Sequence, residues 1–240
     1  MIFSKEFTQY TQQFPTQEPS CLQELRAIIN KHAKHNISVS PPVGAFLSML
    51  LKMTQKRSVF EMGTFYGYSS LWMALAHPNT HVVTCDIENG ENINVARKAW
   101  QTAGVSDRIE FHASNGLELL TTYTQPTFDM AFIDANKKSS LPAVKTLVQT
   151  SLKPNGFIVV DNFFMRGRVL QKDSDLGNTV HFFNTWLTQQ KHLHSSVIPI
   201  GDGLSLIMRS EAYCSKKQGS NPSKIKSEVA RIWAAPFKTL

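Results

Sequence analysis

The chain has 240 residues, 42% of them hydrophobic and 10% aromatic, with a net charge of +7. A chain this long buries about 70–75% of its unfolded surface, so it can hold one α/β domain without disulfides or a structural metal, and its hydrophobic content excludes general disorder. Cys21, Cys85 and Cys214 are odd in number and form no CxxC pair, and no apolar signal core or membrane-length apolar run is present, which predicts a cytoplasmic protein without a zinc site.

Residues 1–55 read as helical. Phe7, Tyr10 and Phe14 follow Ser4 at helical spacing. Ser20 and Gln23 have the spacing of a capping box, ahead of an apolar stripe of Leu22, Leu25, Ile28 and Ile29. Ser40-Pro41-Pro42 opens a further helix, with a capping side chain followed by proline where no N–H is needed, and Phe46, Leu47, Leu50 and Leu51 carry it to about Thr54.

Past residue 56 the period changes. Short apolar runs (Val59 to Met62, His81 to Cys85, Ile109 to Phe111, Phe128 to Ile133, Phe157 to Val160) alternate with helical stretches at Ser69 to Ala76, Glu91 to Ala103, 116–122 and 140–152. Strands apolar on both faces with helices between them predict a parallel sheet covered on both sides. After a helix near 179–190, Val197 to Ile200 and Leu204 to Met208 flank Gly201-Asp202-Gly203, which predicts an antiparallel hairpin closing the sheet. Residues 56–209 are thus the core, with 1–55 a helical part of the same domain. In the tail, 210–240, Lys216, Lys217, Lys224, Lys226, Arg231 and Lys238 outnumber Glu211 and Glu228 and supply four of the seven net charges. Such a tail is either a solvated terminus or an attraction for nucleic acid, and a short helix is expected from Val229 to Trp233.

Ligands of open α/β sheets bind beyond the carboxyl ends of the strands. The loop after the first strand, Glu61-Met62-Gly63-Thr64-Phe65-Tyr66-Gly67-Tyr68-Ser69, spaces its glycines as GxxxG. A pyrophosphate cradle wants GxGxxG, and Glu61 is a poor neighbour for phosphate. A cationic cofactor tolerates that carboxylate, and S-adenosylmethionine carries a sulfonium and an ammonium. Asp86, at the end of the second strand, stands where an acid takes ribose hydroxyls. Asp134 ends the fourth strand with Lys137 three residues on, and Asp161-Asn162 end the fifth. If those strands are neighbours, two carboxylates and an amide oxygen converge beside the cofactor, a hard oxygen set suited to Mg²⁺, Ca²⁺ or Mn²⁺. Singly, each residue is an ordinary loop cap. His192 and His194 lack a nearby third ligand and read as surface residues.

Residues 37–209 resemble the cation-dependent class I O-methyltransferases, the family of catechol and caffeoyl-coenzyme A O-methyltransferases. The motifs that carry the likeness are Ile37 to Pro41, Val59 to Leu71, Val82 to Asp86, Phe132 to Lys137, Lys153 to Gly156, Val159 to Val169 and Pro199 to Leu204. The resemblance implies a Rossmann-like methyltransferase fold with a mostly parallel seven-stranded sheet. It implies a cofactor site lined by Glu61, Gly63, Ser69, Asp86, Gly116 and Asp134, and metal ligands Asp134, Asp161 and Asn162. It makes Lys137 the base, with Asp134 in the catalytic set. It also implies a homodimer through the N-terminal helices. The family usually has an acid at the place of Asn136, a tyrosine at that of Ser140 and a tryptophan at that of Met165. Those departures, with Phe163, Phe164, Met165 and Arg166 as one expected wall of the acceptor pocket, leave the acceptor open.

The reading that follows is metal-dependent methylation of a small phenolic acceptor with vicinal oxygens. The alternative is methylation of a hydroxylated uridine in transfer RNA, for which the basic tail speaks. A non-catalytic binding module is disfavoured by the intact Asp134, Lys137, Asp161 and Asn162, and a nicotinamide dehydrogenase by the glycine spacing.

Overall fold

Alternation along the central strands sorts their side chains between two apolar layers. In the computed structural model, which describes residues 13–32 and 37–210 together with Glu6 and Tyr10, Val59, Met130, Phe132, Phe157 and Val159 face one layer. Their neighbours Phe60, Ala131, Ile133, Ile158 and Val160 face the other. The strands are β1 (Ser58–Met62), β2 (His81–Asp86), β3 (Ile109–Ala113), β4 (Phe128–Ile133), β5 (Leu152–Asp161), β6 (Leu193–Ile198) and β7 (Leu204–Arg209). They form one sheet in the order β3-β2-β1-β4-β5-β7-β6. The first five are mutually parallel, and β7 pairs antiparallel with both β5 and β6. The parallel sheet closed by a hairpin is therefore as the sequence predicts.

Helices α1 (Ser20–Ile29), α2 (Pro41–Thr54), α3 (Tyr68–Ala74) and α4 (Glu91–Thr102) supply Leu22, Leu25, Leu47, Leu51, Trp72 and Trp100 to the first layer. Helices α5 (Gly116–Thr122), α6 (Ser140–Thr146) and α7 (Asp175–Thr188) supply Leu120, Val144, Phe183 and Leu187 to the second. Each such side chain withdrawn from water contributes about 1.5–3 kcal/mol. α1 and α2 thus share one apolar layer with the central strands. Among the described residues, no helix is long and apolar enough to cross a membrane.

Several local expectations change. Ser20 does not cap α1: Pro19 takes that position, no side chain caps it, and Gln23 Nε2 donates instead to the carbonyl of Glu18. Ser40 is the N-cap residue of α2 but its side chain makes no capping bond, so the prolines define that start. The segment expected as one helix over 140–152 is α6 followed by a π-turn at Leu147–Ser151. α7 begins at Asp175 because the Ser174 hydroxyl accepts from Gly177 N–H. β6 starts earlier than expected and ends at Ile198, leaving 199–203 as the turn. Phe7, the tail helix and the remaining tail charges lie outside the described residues, while Tyr10 and Phe14 are exposed with their rings 5.3 Å apart.

At the sheet's carboxyl edge, β1 is held tightly on both sides. Gly63 N–H donates to Cys85 O and Asp134 N–H to Met62 O, both at 2.9 Å. Gly63 has φ +107°, and a Cβ there would sit 2.1 Å from the Asp134 carbonyl oxygen. Two residues earlier Glu61 is fully buried. Its Oε2 accepts from the Ser70 hydroxyl and, at 2.6 Å, from Thr84, tying β1 to α3 and β2. Burial pushes this carboxyl from its ordinary 4.5 to about 7, against the opposing pull of the Ser69, Ser70 and Thr84 hydroxyls.

Two outcomes are expected. Gly63→Ala forces a side chain into a left-handed backbone and against a carbonyl, costing about 2–4 kcal/mol, and thermal melting should fall by about 5–15 °C. For Glu61, the folded protein keeps a proton that the unfolded chain has shed between pH 4.5 and about 7. Stability therefore declines as pH rises through that window, by on the order of 3 kcal/mol at completion. Urea unfolding across pH 5–8 should show this decline flattened in Glu61→Gln relative to wild type.

Candidate active site

Parallel pairing aligns the chemistry. Cys85 pairs with Met62, Met62 with Ile133 and Ile133 with Val160. The next residues, Asp86, Gly63, Asp134 and Asp161, therefore stand in one row across four neighbouring strands. The chain changes direction between β1 and β4, where open α/β sheets bind ligands. Over the row lies a cavity of about 830 Å³. Gly63, Ser69, Asp86, Gly116, Asp134, Lys137, Asp161 and Asn162 all line it, with Ile37 to Ser40 from the segment ahead of α2. The structure does not bring Glu61 into that wall, because its carboxylate is sealed beneath the Gly63 loop.

The cofactor half is built around Asp86. Its Oδ2 accepts the backbone N–H groups of Thr64 and Phe65 at 3.1 and 2.9 Å, and Oδ1 accepts that of Glu88 at 3.1 Å. These bonds, with Asn92 Nδ2 donating to Phe65 O at 2.9 Å, hold Phe65 in the left-handed region at φ 50°. A carboxylate has about four acceptor sites, so one remains for a ribose hydroxyl. Gly116 opens α5 behind Asn115, whose side chain caps Leu117 N–H, and a Cβ at Gly116 would strike Met62 and Cys85. Gly63 stands between the acids Asp86 and Asp134 in the row, and Gly116 lines the same cavity, a setting whose carboxylates suit a cationic nucleoside. Tyr68, also on the cavity wall, donates its hydroxyl to Glu18, a nearly buried carboxylate that Arg26 grips through Nε and Nη2 at 2.9 and 2.7 Å. This link between α1 and the cofactor loop had no spacing signature.

The other half gathers around the ends of β4 and β5. Lys137 Nζ lies 3.1 Å from Asp134 Oδ1, with only 10% and 18% of the two side chains exposed. Asp161 is buried, and its Oδ1 accepts from Asn162 N–H at 2.7 Å. Burial and the charge of Asp134 push the Asp161 carboxyl well above the usual carboxylate range, opposed by Lys137. Burial thus disfavours charge on both acids at once, and a cation bound between them would favour ionisation of both. Among the described residues no cluster of three His, Cys, Asp or Glu side chains could hold a metal. Asp134, Asp161 and the Asn162 amide oxygen, which line one cavity, are the residues that could hold a hard cation, with outside oxygens completing the shell.

Of the expected acceptor wall, Met165 and Arg166 line the cavity, joined by Arg168. Phe163 and Phe164 turn under the hairpin instead, where a Cβ at Gly203 would meet the Phe164 ring. Asn136 lines the cavity and caps the turn after β4 by accepting from Lys138 N–H at 3.0 Å, while Ser140 is buried in an adjoining small cavity behind Asp161. His192 and His194 line neither cavity. Asp202, which the sequence marked only as a turn residue, lines the main cavity and bonds to Asn162.

Comparison with known proteins agrees with this geometry. A family model described as O-methyltransferase matches residues 12–210. Caffeoyl-CoA O-methyltransferase 1 of Eucalyptus globulus is 33% identical over 204 residues, covering 80% of this chain and 82% of the relative. Caffeoyl-CoA O-methyltransferase 2 of Zea mays is 30% identical over 225 residues, covering 87% and 84%. The O-methyltransferase TomG of Streptomyces achromogenes, solved in complex with SAM, superposes with a TM-score of 0.74 at 29% identity, over 85% of this chain and 96% of that one. The SAH-bound methyltransferase PaMTH1 of Podospora anserina reaches 0.78 at 22% identity, over 88% and 98%, a likeness of fold. A chain matched by that model over most of its length, with these relatives, belongs to the O-methyltransferase family and is an S-adenosylmethionine-dependent O-methyltransferase.

Proposed function

We propose that the chain moves the methyl group of S-adenosylmethionine to one hydroxyl of a small phenolic acceptor with vicinal oxygens, with Mg²⁺ as its resident cation. The observation that carries this reading is the single row of Asp86, Gly63, Asp134 and Asp161, which sets the cofactor wall directly beside a hard oxygen donor set. Asp134, Asp161 and Asn162 would hold the divalent cation, which would supply Lewis acidity to an acceptor hydroxyl.

The chain's own residues do the rest. Lys137 serves as the base for the acceptor's proton, its Nζ standing 3.1 Å from Asp134 at the edge of the donor set. The acceptor oxygen then forms its bond to the methyl carbon as the carbon–sulfur bond breaks, leaving S-adenosylhomocysteine. Asp86 with Gly63 and Gly116 fixes the cofactor, and Met165 with Ile37 and Val39 shields the acceptor from water. A homodimer through the N-terminal helices is supported by Ile28, Met49 and Met53, which α1 and α2 leave exposed.

Transfer from labelled S-adenosylmethionine to a panel of catechols should need Mg²⁺ and stop with EDTA. Asp161→Ala should lower kcat by about 10²-fold or more while still binding cofactor in calorimetry. Lys137→Ala should cost about 10²–10⁴-fold in kcat with little change in cofactor affinity. Transfer undiminished by EDTA would overturn the metal-dependent reading.

A further inference from the structure

Asp202 lies in the turn between β6 and β7, and its carboxylate serves two parts of the loop that follows β5. Oδ2 is 3.3 Å from Asn162 Nδ2, while Oδ1 and Oδ2 stand 2.8 and 3.0 Å from the backbone N–H nitrogen of Arg166. The main chain adds two bonds across the same seam, Phe163 N–H to Gly203 O at 2.9 Å and Phe164 N–H to Asp202 O at 3.0 Å. Along this loop Asn162, Met165 and Arg166 are left-handed, with φ of 67°, 45° and 53°. Non-glycine residues hold that conformation only where the surroundings over-determine it. Here the turn around Asp202 does so.

The bond to Asn162 has a chemical consequence. A primary amide offers hydrogens at one end and an acceptor oxygen at the other, whereas a carboxylate only accepts. Opposite Asp202, Asn162 must present its NH₂ group, because a rotated amide would set two acceptor oxygens against each other. The amide oxygen is thereby left as the end available for a cation. We propose that Asp202 is a positioning residue that selects the amide orientation in which Asn162 offers oxygen to the cation site. The proposal rests on the metal-dependent reading given above. Asp202 touches neither cofactor nor reacting atoms in this role; it acts through Asn162, as partners of metal ligands do elsewhere.

The test is Mn²⁺ affinity, followed by electron paramagnetic resonance on the full chain saturated with S-adenosylhomocysteine, for wild type, D202N, N162D and the double variant. An amide at position 202 can still accept from Arg166 N–H, so the loop is kept while the selection is lost. D202N is expected to weaken Mn²⁺ binding by about tenfold. In the N162D background the same change should cost nothing, since a carboxylate at position 162 presents oxygen at either end. Equal losses in both backgrounds would show that Asp202 acts by charge alone and overturn the proposal, as would no loss in either. Loss of S-adenosylhomocysteine binding by D202N together with the metal would mark a general scaffolding role and also overturn it. Wild-type protein that binds no Mn²⁺ overturns the metal-dependent reading itself, and the positioning role with it.

Discussion

Everything at the ligand end of this molecule depends on how closely β1 is gripped by β2 and β4. Gly63 donates to Cys85 and Asp134 donates to Met62, each at 2.9 Å, in a space that a single methyl group would overfill. Because β1 can move toward neither neighbour, the residues that emerge beyond it are fixed relative to one another. The cofactor floor and the first acid of the cation set are consequences of the same hydrogen-bonded seam. Glu61 reinforces it from beneath, since a fully buried carboxyl that accepts from both α3 and β2 ties loop, helix and strand together.

The division of labour around the cavity follows from electrostatics. On the cofactor side carboxylates face backbone N–H groups, so that Asp86 orders the loop and keeps acceptor capacity for a ligand. On the acceptor side the Asp134 carboxylate pairs with Lys137 and raises the buried Asp161 carboxyl above the usual carboxylate range. One sheet edge thus holds two kinds of acid: Asp86, held by backbone N–H groups, and the neighbouring pair Asp134 and Asp161, which perturb each other.

The strands were legible because burial on both faces writes continuous apolar runs, and the terminal hairpin because glycine punctuates it. Asp134, Asp161 and Asn162 were legible for a related reason: polar residues at the ends of such runs have little to do in packing. Glu61 was legible as unusual but its place was not, since strand periodicity does not tell whether a terminal carboxylate points into a cavity or beneath a loop. Asp202 was hidden by its glycines. Its role depends on Asn162, forty positions earlier in the chain, and no local pattern encodes a bond of that span. The capping box at Ser20 failed for the opposite reason, a correct local pattern displaced by Pro19 and by the tertiary pull of Glu18 on Arg26 and Tyr68.

The strand order has a consequence for synthesis. β1 is the first strand to leave the ribosome and ends in the middle of the sheet, with β2 and β3 on one side and β4 on the other. Until Phe128–Ile133 emerges, one edge of β1 has no partner for its backbone N–H and C=O groups. A nascent chain halted between β3 and β4 would display an open strand edge, the kind of surface that recruits chaperones or pairs with a second chain. The contact that sets Asp134 beside Gly63 is also the one that ends this exposure, so the first part of the ligand site and the closing of that edge arrive together.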